Sequence, residues 1–293
     1  MTVIQPGILD AVPPQGRHLF FTLKLGADPS TALINLQKST DGSRIVVGFG
    51  FSLIQALDKK IPTMRHFPSQ TAPGVEIPST PFALWCWIRD EDKGEILHIT
   101  RLFKRLLGGA FQLEKVVDTF RYGDGRDLTG YEDGTENPQG DAMMETTMVE
   151  TQSPELVGSS FAVVQQWVHD LDKFQAMPQD EQDNTIGRRK SDNEELEHAP
   201  ESAHVKRTAQ ESFSPEAFML RRSMPWSEQD KEGLMFVAFA KSFEPFEAQL
   251  SRMIGEEDGI IDALFKFTRP ISGSYFWCPP VNGSELNLTA LGI

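Results

Sequence analysis

The chain has 293 residues, 39% of them hydrophobic, and a formal net charge of −14. With a mean hydropathy of −0.32 and a pI of about 4.9, it holds enough apolar material for one large domain or two of ordinary size. The charge excludes the basic footprint that nucleic-acid binding requires, and no apolar run reaches the length of a membrane span.

The predicted elements alternate. Leu19–Leu25 reads as a strand, and Pro29–Gln37 as a helix with Asp28 as a candidate N-cap. Strands follow over Arg44–Gly50 and, after a loop, over the aromatic-rich run Phe82–Arg89. In the segment Gly94–Leu107, Ile96, Ile99, Phe103, Leu106 and Leu107 fall at helical spacing, and Gly108-Gly109 ends it. Phe111–Val117 closes a β-α-β, β-α-β order, the ferredoxin-like pattern. The second half repeats that order loosely: strands over Ser160–His169, Phe218–Arg222 and Leu234–Lys241, then a helix over Pro245–Ile254. Asp172–Glu201 between them is polar and acidic, expected as loop with a short helix. Residues 140–158 look like a linker, which divides the chain into halves at 1–150 and 151–293.

Cys86 and Cys278 lie within apolar or aromatic runs and read as packed thiols, not as a disulfide framework or a metal site. The opening Met1-Thr2-Val3-Ile4-Gln5-Pro6 carries no leader pattern, so a cytoplasmic location is expected. The closing stretch Asn287–Ile293 offers no clear extension for docking into a protein compartment.

The densest local signal is Gly130-Tyr131-Glu132-Asp133-Gly134-Thr135-Glu136-Asn137-Pro138. Glycines there allow positive φ and close backbone approach, so the loop can press Asp133 against a flat ligand. Alone, a GxxDG run is more often an acidic surface turn. His204, in Ser202-Ala203-His204-Val205, is by itself more readily a surface or packing histidine than a ligand, and none of the six histidines shows zinc-site spacing. The Ile186-Gly187-Arg188-Arg189-Lys190 turn either anchors carboxylates or phosphates or is a solvated basic turn. Alternation sends Arg221 and Arg222 to opposite faces of their strand, and whichever faces inward must find an anion or polar partner. Asp262, in an otherwise apolar segment, is either a helix-capping acid or the acceptor of a proton from a metal-bound imidazole. An EF-hand over Asp124–Asp133 fails because Arg126 and Leu128 stand where oxygen ligands are needed. A dinucleotide fold fails for want of GxGxxG after a strand.

Taken in order, Arg126-Asp127-Leu128-Thr129, GYEDGTENP, IGRRK, Ser202-Ala203-His204-Val205, LRRSMPW and the run Phe267–Phe276 resemble the dye-decolourising peroxidases over nearly the whole chain, in their compact bacterial form. The resemblance implies an α+β duplicated ferredoxin-like fold, two antiparallel sheets with helices, and haem b in the C-terminal half. It implies a peroxidase that reduces hydrogen peroxide and oxidises phenols, dyes or Mn(II) through ferryl intermediates. His204 resembles the proximal iron ligand, with Asp262 bonded to its other nitrogen; Asp133 and Arg221 resemble the distal acid and arginine. Arg188 is the first candidate for a haem propionate contact and Arg207 the second, while Ser223 stands where members carry a distal asparagine. A pocket run by a carboxylate implies an acidic pH optimum. Tyr131, Trp226, Trp277 and Tyr275 are candidate electron relays. The expected partners are hydrogen peroxide and a small aromatic or other small-molecule reductant, in a homo-oligomer, with no nucleic acid or membrane. A haem-binding or haem-delivery protein with incidental peroxidase activity is the alternative, and a non-haem ferredoxin-like module the third reading.

Overall fold

The computed structural model describes residues 2–293. The N-terminal half runs β1 (Gln15–Leu23), α1 (Ser30–Lys38), β2 (Ile45–Phe49), β3 (Leu84–Asp90), α2 (Lys93–Leu107) and β4 (Phe111–Phe120). Local chemistry explains the helix starts. The Asp28 carboxylate accepts from the Ser30 amide at 2.9 Å, and Asp92 caps α2 by accepting from the Gly94 amide at 2.6 Å. The first strand starts four residues earlier than its apolar pattern, because Gln15 to His18 still pair with β3 and β4.

In the expected linker a helix forms, α3 (Asp141–Thr147). The C-terminal half follows with β5 (Ser160–His169), α4 (Gln179–Ile186), α5 (His204–Arg207), β6 (Leu220–Arg221), β7 (Met224–Glu228), β8 (Lys231–Ala240), α6 (Glu244–Met253), β9 (Thr268–Pro270) and β10 (Ser274–Cys278). The acidic region before α5 thus carries α4 and a further helix, Leu171–Gln175, where one short helix was expected.

Strand order in the first half is β2-β3-β1-β4, and in the second β10-β5-β8-β7. Both are the ferredoxin-like arrangement. The halves meet edge to edge at two single-residue ladders, Trp277 with Phe49 and Trp226 with Thr119. Together these eight strands close a ring, so neither four-stranded sheet keeps two free edges.

Alternation along the strands sorts the side chains. Phe20, Trp85, Trp87, Met235, Val237, Phe239 and Phe276 share the core inside the ring. His18 joins them, stacked on Trp85 and Trp87, and burial pushes its imidazole pKa down to about 3, so it is a neutral packing group. Cys86 and Cys278 are free and buried, as packed thiols should be. On the outer face of the second sheet, Gln165, Trp167 and His169 of β5 and Leu234 and Phe236 of β8 line a cavity. No helix among the described residues is long and apolar enough to cross a membrane.

Candidate active site

The cavity lies between that outer face and the helical layer, with a volume of about 140 Å3. Its walls are largely apolar, with Met219, Phe236, Phe246, Leu250, Met253 and Leu264 among them. Two histidines reach it, and their nitrogens distinguish them. His169 has both engaged: Nδ1 lies 2.6 Å from the Thr268 hydroxyl and Nε2 3.0 Å from Asp127 Oδ1. His204, the first residue of α5, uses only Nδ1, which lies 2.8 Å from Asp262 Oδ2. Its Nε2 has no hydrogen-bond partner among the described residues.

Asp262 both caps a turn and contacts an imidazole. One oxygen takes the imidazole, while the other accepts from the Leu264 amide at 2.8 Å and caps the following turn. Its own amide donates to the Met253 carbonyl at 2.8 Å, and the Ala263 amide donates to the Ser202 carbonyl at 2.7 Å. The carboxylate is therefore held by α6 and by the loop leading into His204. With Asp262 as acceptor, Nδ1 carries the imidazole proton and Nε2 offers its lone pair.

On the sheet side, Arg221 of β6 meets Asp133 from the glycine-rich loop, Nη1 to Oδ1 3.8 Å. Both side chains are 22% exposed and line the cavity. Arg222 takes the inward position that alternation demanded. It is buried and donates to the carbonyls of Ile8 and Leu9 at 3.1 and 2.6 Å. Burial lowers its pKa to about 10, with Arg89 adding repulsion.

Two expected cofactor contacts are corrected. Arg207 does not line the cavity. Its guanidinium is buried and engaged, bidentate to Asp258 at 2.7 and 2.8 Å and donating to the Arg252 carbonyl at 2.7 Å, so it ties α5 to the end of α6. Ser223 also lies outside the cavity, on a polar cleft on the other side of Asp133 and Arg221, with its hydroxyl near the Val237 amide at 3.4 Å. Arg188 lines a recess shared with His204, Asp133 and Arg221, where it pairs with Glu136 at 2.5 Å and donates to the Asn193 carbonyl at 2.9 Å.

Sequence reasoning missed three groups. Gln165 is 1% exposed and lines the cavity, yet its Nε2 donor finds no partner. Asn137 sits inside the quoted loop without a role having been given to it. The Asp127–His169 pair was legible only as strand alternation, which puts His169 on the face of Gln165 and Trp167. Burial pushes the Asp127 carboxyl up, but the His169 hydrogen bond and charge and two bonds from Thr129 outweigh it, so the net shift is downward. A depressed folded pKa contributes stability above the unfolded value and loses it as pH falls. The Asp127→Asn variant should therefore be about 1–3 kcal/mol less stable at neutral pH, with the gap closing only below about pH 4. Paired melting curves from pH 7 to pH 3 check this; a gap that stays constant to pH 3 would reject it.

A haem fits these residues. The cavity is lined on one side by strand side chains, largely apolar, supplied with one free imidazole nitrogen, and has an orphaned amide donor. Against known proteins, residues 124–283 match the family model described as Dyp-type peroxidase, C-terminal. The chain belongs to the dye-decolourising peroxidase family. A dye-decolourising peroxidase of Rhodococcus erythropolis is 30% identical over 84% of this chain and 74% of that protein. One from Mycolicibacterium paratuberculosis is 31% identical over 74% of this chain, a match spanning 62% of that protein's length. Among solved structures, a variant of Rhodococcus jostii DypB in complex with haem superposes with a TM-score of 0.84 at 25% identity, covering 92% of this chain and 93% of that one. The α+β fold of the dye-decolourising peroxidases is thus the fold of this chain.

Proposed function

We propose that the chain binds haem b in this cavity and reduces hydrogen peroxide with electrons from phenols, dyes or Mn(II). The observation that carries the reading is the pairing of a free His204 Nε2, backed by buried Asp262, with the Asp133–Arg221 pair in the same cavity. Bound haem would supply the redox chemistry, accepting two oxidising equivalents from peroxide and returning them to the reductant.

His204 would hold the iron through Nε2, and Asp262 would keep the ring in one tautomer and raise its basicity. The Asp133 carboxylate would take a proton from one peroxide oxygen and return it to the other. Arg221 would stabilise charge on the departing oxygen. Apolar walls exclude water and strengthen both interactions. The polar cleft beyond Asp133 and Arg221 is the proposed entry for peroxide, and Arg188 the proposed propionate contact, in exchange for part of its pairing with Glu136. The reading carries with it a homo-oligomer, a cytoplasmic location, and two ferredoxin-like halves divided near residue 150.

An absorption spectrum of haem-loaded wild type, before and after one equivalent of hydrogen peroxide, tests the proposal. The expected result is a Soret band that shifts on mixing and returns when a phenol is added. A band indifferent to peroxide would instead assign haem binding or delivery, and no band would remove the cofactor.

A further inference from the structure

We infer that Asn137 is the positioning residue that keeps Asp133 and Arg221 in register, a role that rests on the peroxidase reading above. Arg221 lies on a two-residue edge strand whose only ladder among the described residues is with β8, where it stands opposite Ala238. The next amide, that of Arg222, donates inward to the Val237 carbonyl at 2.8 Å. By strand geometry the Arg221 amide and carbonyl point the other way, where a further strand would lie.

The Asn137 side chain takes that strand's place. Its Oδ1 accepts from the Arg221 amide at 2.8 Å and its Nδ2 donates to the Arg221 carbonyl at 3.1 Å. Two opposed bonds to one residue fix both its position and its tilt. A side-chain amide presents a donor and an acceptor side by side, as the edge of a neighbouring strand would.

The other end of the bracket is equally fixed. The Asn137 amide donates to the Gly134 carbonyl at 3.0 Å and closes a turn directly after Asp133. Gly134 has φ +73°, and a Cβ there would lie 2.6 Å from Asn137 Nδ2. Glycine is therefore required for the conformation and for the space the bracket occupies. A second side-chain amide, that of buried Gln210, spans the same gap. Gln210 donates to the Glu136 carbonyl at 2.7 Å and accepts from the Met219 amide at 3.0 Å. The acid's loop and the arginine's strand are thus stitched by backbone contacts that leave both functional side chains free. The 3.8 Å separation of Asp133 and Arg221 follows from the stitch and not from the weak ion pair itself.

The test compares Asn137→Ala and Asn137→Asp in the full haem-loaded chain. The aspartate keeps the acceptor for the Arg221 amide and turns an anionic oxygen towards the Arg221 carbonyl in place of the donor, a repulsion that the retained bond partly offsets, so it should fall between wild type and alanine. Expected for alanine is a peroxide reaction slowed on the order of 10- to 100-fold, the penalty of small misplacement, with haem occupancy and the reductant KM unchanged. Fluoride affinity of the resting ferric protein, which reads hydrogen-bond donors near the iron without turnover, should weaken in the same order. Hydrogen exchange at the Arg221 amide should quicken. Faster exchange with unchanged peroxide rate and fluoride affinity would show a purely structural bracket and overturn the inference. If alanine prevents haem uptake, the aspartate variant decides by the same readouts. A wild type that binds haem and fluoride but ignores peroxide would sink the peroxidase reading alone, and the fluoride series would still judge the register.

Discussion

The His204→Ala protein is expected to fold and to lose its Soret band at haem concentrations that saturate wild type. The cavity offers two histidines, but Asp127 and Thr268 engage both nitrogens of His169. Among the described residues, no group of three or more histidine, cysteine or acidic side chains is placed to hold a metal ion, and in the proposed reading a single imidazole would carry the iron. Losing even a partner of such a ligand typically costs 10- to 100-fold in affinity, so losing the ligand itself should cost on the order of 100-fold or more. Asp262→Asn supplies the intermediate case, since the ring keeps its place but loses the carboxylate behind it. The alanine variant leaves Asp262 buried without its imidazole partner. Its remaining bond to the Leu264 amide limits the apo-protein's loss to about 1–3 kcal/mol. Haem titration followed at the Soret maximum, with added imidazole as rescue, measures all of this. An alanine variant with unchanged band position and haem affinity would remove His204 from the iron.

Asp133→Asn and Arg221→Leu should both keep the resting spectrum and slow the reaction with peroxide. Asparagine cannot accept and return a proton, which should cost roughly 10²- to 10⁴-fold. Leucine removes the charge proposed to stabilise the departing oxygen, an expected loss on the order of 10²- to 10³-fold. The two groups stand 3.8 Å apart, so their effects should not add in the double variant. Stopped-flow mixing with peroxide, before any reductant is present, isolates this step from electron donation. If both single variants react at the wild-type rate, neither residue belongs to the mechanism, and the cavity would have to be read as a haem-carrying one.

Much of the architecture was legible from residue order alone. The helix that follows Asp28, with Pro29 and not Asp28 as its N-cap, the strand Ser160–His169 and the helix through Pro245 all depend on neighbours within a few positions, which hydrophobic period and turn chemistry report. A glycine-rich loop and an acid in an apolar run are local anomalies that singled out Asp133 and Asp262, whereas the choice of His204, and of Arg221 over Arg222, came with the family resemblance. Partners were another matter. Arg207 and Arg188 look alike in sequence, yet one is tied to Asp258 and the Arg252 carbonyl and the other opens onto a recess beside His204. Ser223 lies two positions from Arg221 and falls on the far side of it. Ring closure through Trp277 with Phe49 and Trp226 with Thr119 joins residues more than a hundred positions apart. Local periodicity constrains which face a side chain takes. Which groups meet across that face is set by how the layers pack, and only the folded chain brings Asn137 to the backbone of Arg221 or leaves one imidazole nitrogen of His204 without a partner.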